Sequence, residues 1–442
     1  MPKTLQARTL ASSRAATLNR LLLWAELFYL ILCATGALAQ SSRTSPDAIS
    51  HSQHKEVTQY TLPPEKLARA HALYVIENWL FVVSSLYSLA VMLLFLQRRW
   101  AAKLRDFAER VSTRRSVQTS IVASFFIVTL SALLLLPAIY AHHVARMYGL
   151  SVQGWASWFR DWAVQLALLV VLGTLVIWIL YAIIRRSPRR WWLYFWLACV
   201  PIAAFVTFLA PVVIDPLFNK FQPLEQSHPE LVTELEKVTQ RAGLNIPRSR
   251  MYEMIASTKV TGSNAYVTGF GPSKRVVVWD TAIKNSSTPE LMFTFAHELG
   301  HYVLHHVVKG FLFGAALFLL LFYIGYRLVN WATAKWGRHW GIRAVDDLAS
   351  LPLMVLVLSV LTFFAAPALN AYSRHIEHQA DAYALRVTQA IIPDASQVAA
   401  RSFQNMGEEW LDYPFVGRLA EFWRWDHPTT AERVRFAAEY HP

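Results

Sequence analysis

Cysteine is nearly absent: Cys33 and Cys199 are the only two in 442 residues, and both sit inside apolar runs. A disulfide framework and a thiolate metal cage are thereby excluded, so any metal site has to be built from His, Asp or Glu. Charge is scarce as well. Only 16% of residues are Asp, Glu, Lys or Arg, while 55% are hydrophobic and 13% aromatic. An ordinary soluble protein carries about a quarter charged residues. The apolar excess excludes disorder and points to a chain embedded in a membrane. Acids are the scarcer sign, leaving a net charge of +13. The basic residues crowd the ends of apolar blocks, seven of them in 98–115 and four in 185–190. There positive charge sets membrane orientation, and no nucleic-acid partner is expected.

Residues 1–39 combine Lys3, Arg8, Arg14 and Arg20 with an apolar run from Leu21 and the pattern Ala37-Leu38-Ala39, which reads as a signal peptide or a first transmembrane helix. Residues 40–63 form a polar linker, and Pro63-Pro64-Glu65 starts a helix. Apolar stretches follow at 79–96, 117–140, 162–184 and 191–213, with Trp79, Trp162, Trp191 and Trp192 at their ends. Each is long enough to cross about 30 Å of hydrocarbon, and tryptophan favours the interface. After 213 the composition turns polar. A helix is predicted near 229–242 and β-like runs near 249–255, 264–270 and 274–279, punctuated by Gly262, Gly269 and Gly271. Two further spans, 308–330 and 350–369, precede an amphipathic helical tail. The expected fold is an α-helical polytopic membrane protein with about seven transmembrane helices and a small α+β insert. Its parts are a membrane domain over 64–213, the insert over 214–306, two spans within 307–369 and a C-terminal helical part over 370–442.

The chemistry concentrates in His297-Glu298-Leu299-Gly300-His301, on a helix entered through Pro289-Glu290. Positions i and i+4 share a helix face, so both imidazoles can hold one Zn²⁺, while Glu298, about 100° round the axis, stands beside the metal as a general base. Catalytic zinc needs a third protein ligand. Glu377, just after the last span, supplies a candidate, and Asp381 one turn on can accept the second N–H of a ligand histidine and fix its tautomer. His305 and His306 are set aside as structural, because a third ligand from the same straight helix closes a tetrahedral site poorly. His375 and His378 point elsewhere on the Glu377 helix.

These residues resemble the CAAX prenyl protease 1 family, integral-membrane zinc endopeptidases of the gluzincin type. The resemblance is carried by Asp215-Pro216-Leu217-Phe218-Asn219-Lys220-Phe221 with Pro223-Leu224, Gly262-Ser263-Asn264-Ala265-Tyr266 with Gly269, and Val278-Trp279-Asp280-Thr281. It continues through the two-histidine helix, Ser373-Arg374 with Glu377 and Ala380-Asp381, and His427-Pro428 with Arg433, covering roughly residues 64–442. The resemblance implies a ring of seven helices around an internal chamber, with one zinc at one end and a peptide laid along an edge strand. It also implies that His427 donates to the oxyanion, that Arg433 steadies it, and that Asn264 and Arg433 serve substrate binding. The partners expected are a peptide or protein substrate, lipidated or not, and membrane lipid, in a multi-pass protein of a bacterial-type inner membrane.

Two other functional classes compete. One is a heat-shock-type zinc protease of membrane quality control, for which two spans between the zinc helix and Glu377 are too many. The other is a non-catalytic scaffold or transporter, which should show charged or broken spans in matching halves. Positive-inside reasoning puts the basic loops 98–115 and 185–190 in the cytoplasm, which places the insert and its zinc helix on the opposite, extracytoplasmic side.

Overall fold

The computed structural model of the protein describes residues 56–268 and 274–441. The signal-like run 1–39 with Cys33, most of the linker, and Gly269 and Gly271 lie outside the described residues. The long helices are α1 (Pro64–Gln97), α3 (Arg115–Met147), α4 (Trp155–Arg186), α5 (Trp191–Val213), α8 (His306–Trp340) and α9 (Leu351–Thr388). Shorter ones are α2 (Trp100–Val111), α6 (Pro229–Arg241), α7 (Thr288–Val303), α10 (Ala395–Glu409), α11 (Arg418–Arg424) and α12 (Thr430–Ala438). All six apolar stretches read from residues 79 to 369 lie in long helices. Five of these helices are long and apolar enough to span a bilayer, and α5 adds a shorter apolar helix over Trp191–Thr207. A count of seven requires the first run as well, which falls outside the described residues. The helices overrun the apolar stretches because helical hydrogen bonding continues past the hydrocarbon boundary: α1 starts at Pro64, and α9 continues to Thr388.

The insert carries a four-stranded sheet in the order β1-β2-β4-β3, with β1 at Phe221–Pro223, β2 at Met251–Met254, β3 at Ala265–Thr268 and β4 at Arg275–Trp279. β2 and β4 run parallel and the other pairs antiparallel, so β3 is an edge strand. β1 was not read from the sequence; it is three residues long and ends in proline.

Two hydrophobic cores organise the chain. One joins the sheet, α6, α7, α10, α12 and the end of α9 to the start of α1, through Leu73, Met251, Val277, Phe293, Leu385 and Phe403. The other fills the membrane part, through Phe126, Ile127, Tyr181, Phe195, Phe318 and Leu358. Polar ties connect elements across the fold. Lys259 of the insert pairs with the buried Asp161 of α4, and Arg105 of α2 pairs with Asp347 just before α9.

Candidate metal centre

α7 starts by design of its first turn. Ser287 and Glu290 form a capping box, with Ser287 N–H donating to Glu290 Oε2 at 2.7 Å, and Pro289 fits the first turn, where no N–H is needed. From Glu290 to His301 every residue except Thr294 is buried. Burying Phe293, Phe295 and Leu299 contributes roughly 1.5–3 kcal/mol each, which anchors the helix that carries the imidazoles.

α7 packs on α9. Gly300 sets how closely. A Cβ there would lie 3.1 Å from Tyr383 Cδ1 and 3.3 Å from Ala380 Cα, so a larger residue would push the helices apart at the level of the site. The close approach brings three side chains together. His297 Nε2 lies 3.1 Å from His301 Nε2 and 3.2 Å from Glu377 Oε2, and His301 Nε2 lies 3.4 Å from Glu377 Oε1. Ligands about 2.0–2.1 Å from a tetrahedral ion stand ~3.3 Å apart, so these three atoms have the spacing of one face of such a site. All three residues are buried, and among the described residues they are the group of His, Cys, Asp and Glu side chains able to hold a metal ion.

The donor set passes a sharper test. Both Glu377 oxygens are buried and accept no hydrogen bond, and the nitrogens facing them come from His297, His301 and His427 at 3.2–3.4 Å. A fully buried carboxylate without donors is costly unless a cation completes it. The imidazoles are turned for that purpose. His297 Nδ1–H donates to Asp381 Oδ1 at 2.7 Å, which leaves Nε2 as the bare nitrogen facing Glu377. Burial disfavours a second proton on His297, yet the hydrogen bond to Asp381 and the negative charges of Asp381 and Glu377 outweigh it and lift its pKa to about 10. The pocket is built to hold positive charge.

Asp381 is itself held by Arg433, whose Nε and guanidinium NH2 donate to its two oxygens at 2.9 and 2.5 Å. The guanidinium also approaches His297 Nδ1 at 3.4 Å. Arg433 thus lies on the His297 arm of the cluster, through a pairing with Asp381 that one-dimensional spacing did not give. His427 turns Nδ1 to Asp426 Oδ1 at 2.9 Å and places Nε2 3.3 Å from Glu377 Oε2. Glu298 is buried on the turn between the two imidazoles. Asn264 heads the edge strand β3, accepting through its backbone oxygen from Trp279 N–H at 3.0 Å and through Oδ1 from Ala265 N–H at 2.8 Å.

His306 carries a part that the sequence reading set aside. His305 adopts a left-handed conformation, φ 57°, which ends α7 and lets α8 start in a new direction. The buried His306 ring then folds back so that its Nδ1 lies 3.1 Å from His301 Nδ1, with its Nε2 3.0 Å from Gln379 Oε1. With His301 Nε2 bare, Nδ1–H donates to His306 and His306 Nε2–H donates to Gln379. This second chain fixes the His301 tautomer as Asp381 fixes that of His297. A doublet of histidines right after the helix was the available signal.

One carboxyl near the edge strand titrates in an accessible range. Burial pushes Glu409 up to about 7, even though Ser263 N–H donates to its Oε2 at 2.8 Å. Gly262 beside it has no room for a Cβ, which would lie 2.2 Å from the Trp410 ring. Because the folded pKa lies above the unfolded value, this carboxyl favours the folded chain fully at low pH and loses that contribution as pH rises through about 7. Thermal unfolding in detergent should show stability falling by up to ~3 kcal/mol between pH 5 and 8, and Glu409→Gln should flatten that slope. An unchanged slope in the variant would assign it to other groups.

Residues 225–441 match the model of peptidase family M48, and residues 47–220 match that of the CAAX prenyl protease N-terminal region, described as five membrane helices. A Bacillus subtilis protein named uncharacterized metalloprotease YhfN is 32% identical over 394 residues, covering 89% of each chain. The chain belongs to peptidase family M48. A probable CAAX prenyl protease 1 of Schizosaccharomyces pombe is 29% identical over 337 residues, 71% of this chain and 68% of that one. The crystal structure of S. mikatae Ste24p superposes with a TM-score of 0.72 at 22% identity, over 98% of this chain and 100% of the other, which shows a shared fold. As an M48 peptidase, the protein is a multi-pass, membrane-embedded metalloprotease similar to CAAX prenyl protease 1. It hydrolyses peptide or protein substrates, and membership implies a metal, for which His297, His301 and Glu377 form the cluster described.

Proposed function

We propose that His297, His301 and Glu377 hold one zinc ion per chain, that Glu298 is the general base of peptide hydrolysis, and that His427 donates to the substrate carbonyl oxygen as it gains charge. The observation that carries this reading is the buried Glu377 carboxylate, without a hydrogen-bond donor, facing two imidazoles whose other nitrogens are tied back. Zinc bound there supplies a Lewis acid and acidifies the attacking water. Glu298 takes a proton from that water and returns it to the leaving amine, a role worth about 10²–10⁴ in rate. The substrate adds a strand along the outer side of β3, where Asn264 holds its backbone, with the reacting bond inside the chamber that the family resemblance implies. Arg433 and Asp381 orient His297 and do not touch the substrate.

The substrate class is a membrane-associated peptide, with a prenylated CAAX-type C-terminus as the variant to test. The purified chain should contain one zinc and cleave a fluorogenic peptide set. A strong preference for the farnesyl-cysteine members would assign C-terminal processing, and equal rates would assign broader proteolysis. His427→Ala should slow turnover about 10²–10³-fold with zinc retained. Loss of the metal in that variant would sink its assignment as an oxyanion donor.

We also place the site on the extracytoplasmic side, from the basic loops at the opposite membrane face. With Cys33 replaced by serine, a cysteine at Ser286 should react with a membrane-impermeant maleimide on intact cells. Reaction with permeant reagents alone would reverse the orientation.

A further inference from the structure

The segment between α10 and α12 leads into His427 and has little structure of its own. α11 is seven residues long, too short to hold itself, and the residues on either side of it are irregular. Its fixed points lie on other elements. Asn370 of α9 donates through Nδ2 to Trp423 O at 2.8 Å. Arg374, one turn further along α9, donates through Nη1 to Glu421 O at 3.2 Å and also to Trp425 O, and its Nε lies 3.8 Å from Glu421 Oε1. Trp423 returns a bond to α9, from its Nε1–H to Phe363 O at 3.2 Å. On the other side, Arg424 donates to Glu77 and Asn78 of α1, at 2.8 and 2.6 Å.

The contacts on α9 share a face with the metal site. Phe363, Asn370 and Arg374 precede Glu377 by 14, 7 and 3 residues, which at about 100° per residue puts all three within about 60° of it round the axis. One helix face therefore carries both the buried carboxylate and the ladder that holds the segment. Trp425 is the last rung, two residues before His427. A guanidinium bond to a carbonyl oxygen is charge-assisted, roughly twice as strong as a neutral one, so this rung is the firmest of the series. Asp426 accepts from His427 Nδ1 at 2.9 Å, but it belongs to the same segment, so it sets the rotation of the ring and not the place of the backbone that carries it.

We propose that Arg374 is a positioning residue for His427, fixing through Glu421 O and Trp425 O where the imidazole stands relative to Glu377. The inference rests on the reading of His427 as the oxyanion donor. Arg374 and Glu377 sit on one helical turn, so the metal ligand and the hold on His427 keep a constant spacing, and His427 Nε2 lies 3.3 Å from Glu377 Oε2. An oxyanion donor has to meet its oxygen at about 2.7–3.1 Å, and a displacement of about 1 Å costs roughly 10²-fold in rate. Lysine at 374 would keep the charge, but as a single point it cannot reproduce the planar fork that serves two oxygens.

The test is a double-mutant cycle on the full-length, zinc-loaded chain, with kcat and KM measured on one fluorogenic peptide. Arg374→Gln should lower kcat about tenfold or more, with KM changed less than about threefold and zinc retained, and Arg374→Lys should restore part of the loss. In the His427→Ala background, Arg374→Gln should cost less than about twofold more, because no donor is left to position. Affinity for a phosphinic peptide, which presents a tetrahedral oxyanion without turnover, should show the same non-additivity. Thermal unfolding checks that each variant is folded. If Arg374→Gln is not, Asn370→Ala, which frees only Trp423 O, goes through the same cycle with an expected loss of about threefold in kcat. An equal loss in both backgrounds would overturn the proposal, as would unchanged kcat in a folded Arg374→Gln chain. Zinc loss from that variant would also overturn it, making Arg374 a support of Glu377 instead. Undiminished turnover in His427→Ala alone is a separate result: it would refute the oxyanion reading itself, and this inference with it.

Discussion

Glu298→Gln should lose peptide hydrolysis by about 10²–10⁴ or more and keep its zinc. Glu298 follows His297 directly on α7, so its side chain leaves the axis about 100° away from the face shared by the two imidazoles. It is buried beside the ligand cluster without belonging to it. Glutamine preserves volume and hydrogen-bonding reach, so packing and metal uptake should survive, but an amide cannot accept the proton that the attacking water must give up. Metal content by mass spectrometry and turnover of a fluorogenic peptide, measured on the same preparation, separate the outcomes. Zinc loss would make Glu298 a ligand, and surviving turnover would put the base elsewhere.

Glu377→Gln should do the reverse, emptying the metal site first and losing activity as a result. Two neutral imidazoles and one carboxylate leave a zinc site with a single positive charge, whereas an amide at 377 leaves both charges uncompensated in a fully buried pocket. Because metal binds the folded chain, saturating zinc adds about 4 kcal/mol at a thousandfold excess over its dissociation constant, which corresponds to a melting shift of several degrees. The unaltered chain should lose that increment in chelator and regain it with zinc. Glu377→Gln should melt at the chelated temperature and ignore added zinc. A full zinc response in the variant would remove Glu377 from the ligand set.

What the sequence disclosed follows from where each interaction lives. The spans were legible because crossing a hydrocarbon layer demands a run of apolar residues, and α3, α4, α8 and α9 contain theirs. His297, His301 and Glu298 were legible because all three come from one helix, whose periodicity is fixed. Glu377 and Asp381 were legible as a pair for the same reason, although their meeting with α7 depends on Gly300 against Ala380, a tertiary contact. The rest needs three dimensions. Arg433 meets Asp381 across 52 residues, and His306 reaches His301 only because His305 takes a left-handed turn. Glu409 is raised chiefly by burial, with the charge of Glu290 adding to it, which no spacing reveals, and β1 is too short and too close to a proline to show a strand period.

α9 has a consequence for where the reaction can take place. It is one helix of 38 residues, about 57 Å long, that begins within the membrane core at Leu353 and Met354 and ends in the peptidase core at Ala384 and Leu385. Glu377 and Asp381 ride on that rod, and the imidazoles come from the far side of another membrane helix in the chain. A fragment of residues 214–306 would carry His297 and His301 with no carboxylate, and supplying residues 370–442 separately would cut the rod that sets their position. The peptidase therefore cannot be shed from the bilayer as a working fragment. A substrate that is itself held in the membrane meets it in two dimensions, and for such a substrate surface density, rather than bulk concentration, sets how fast it is cut.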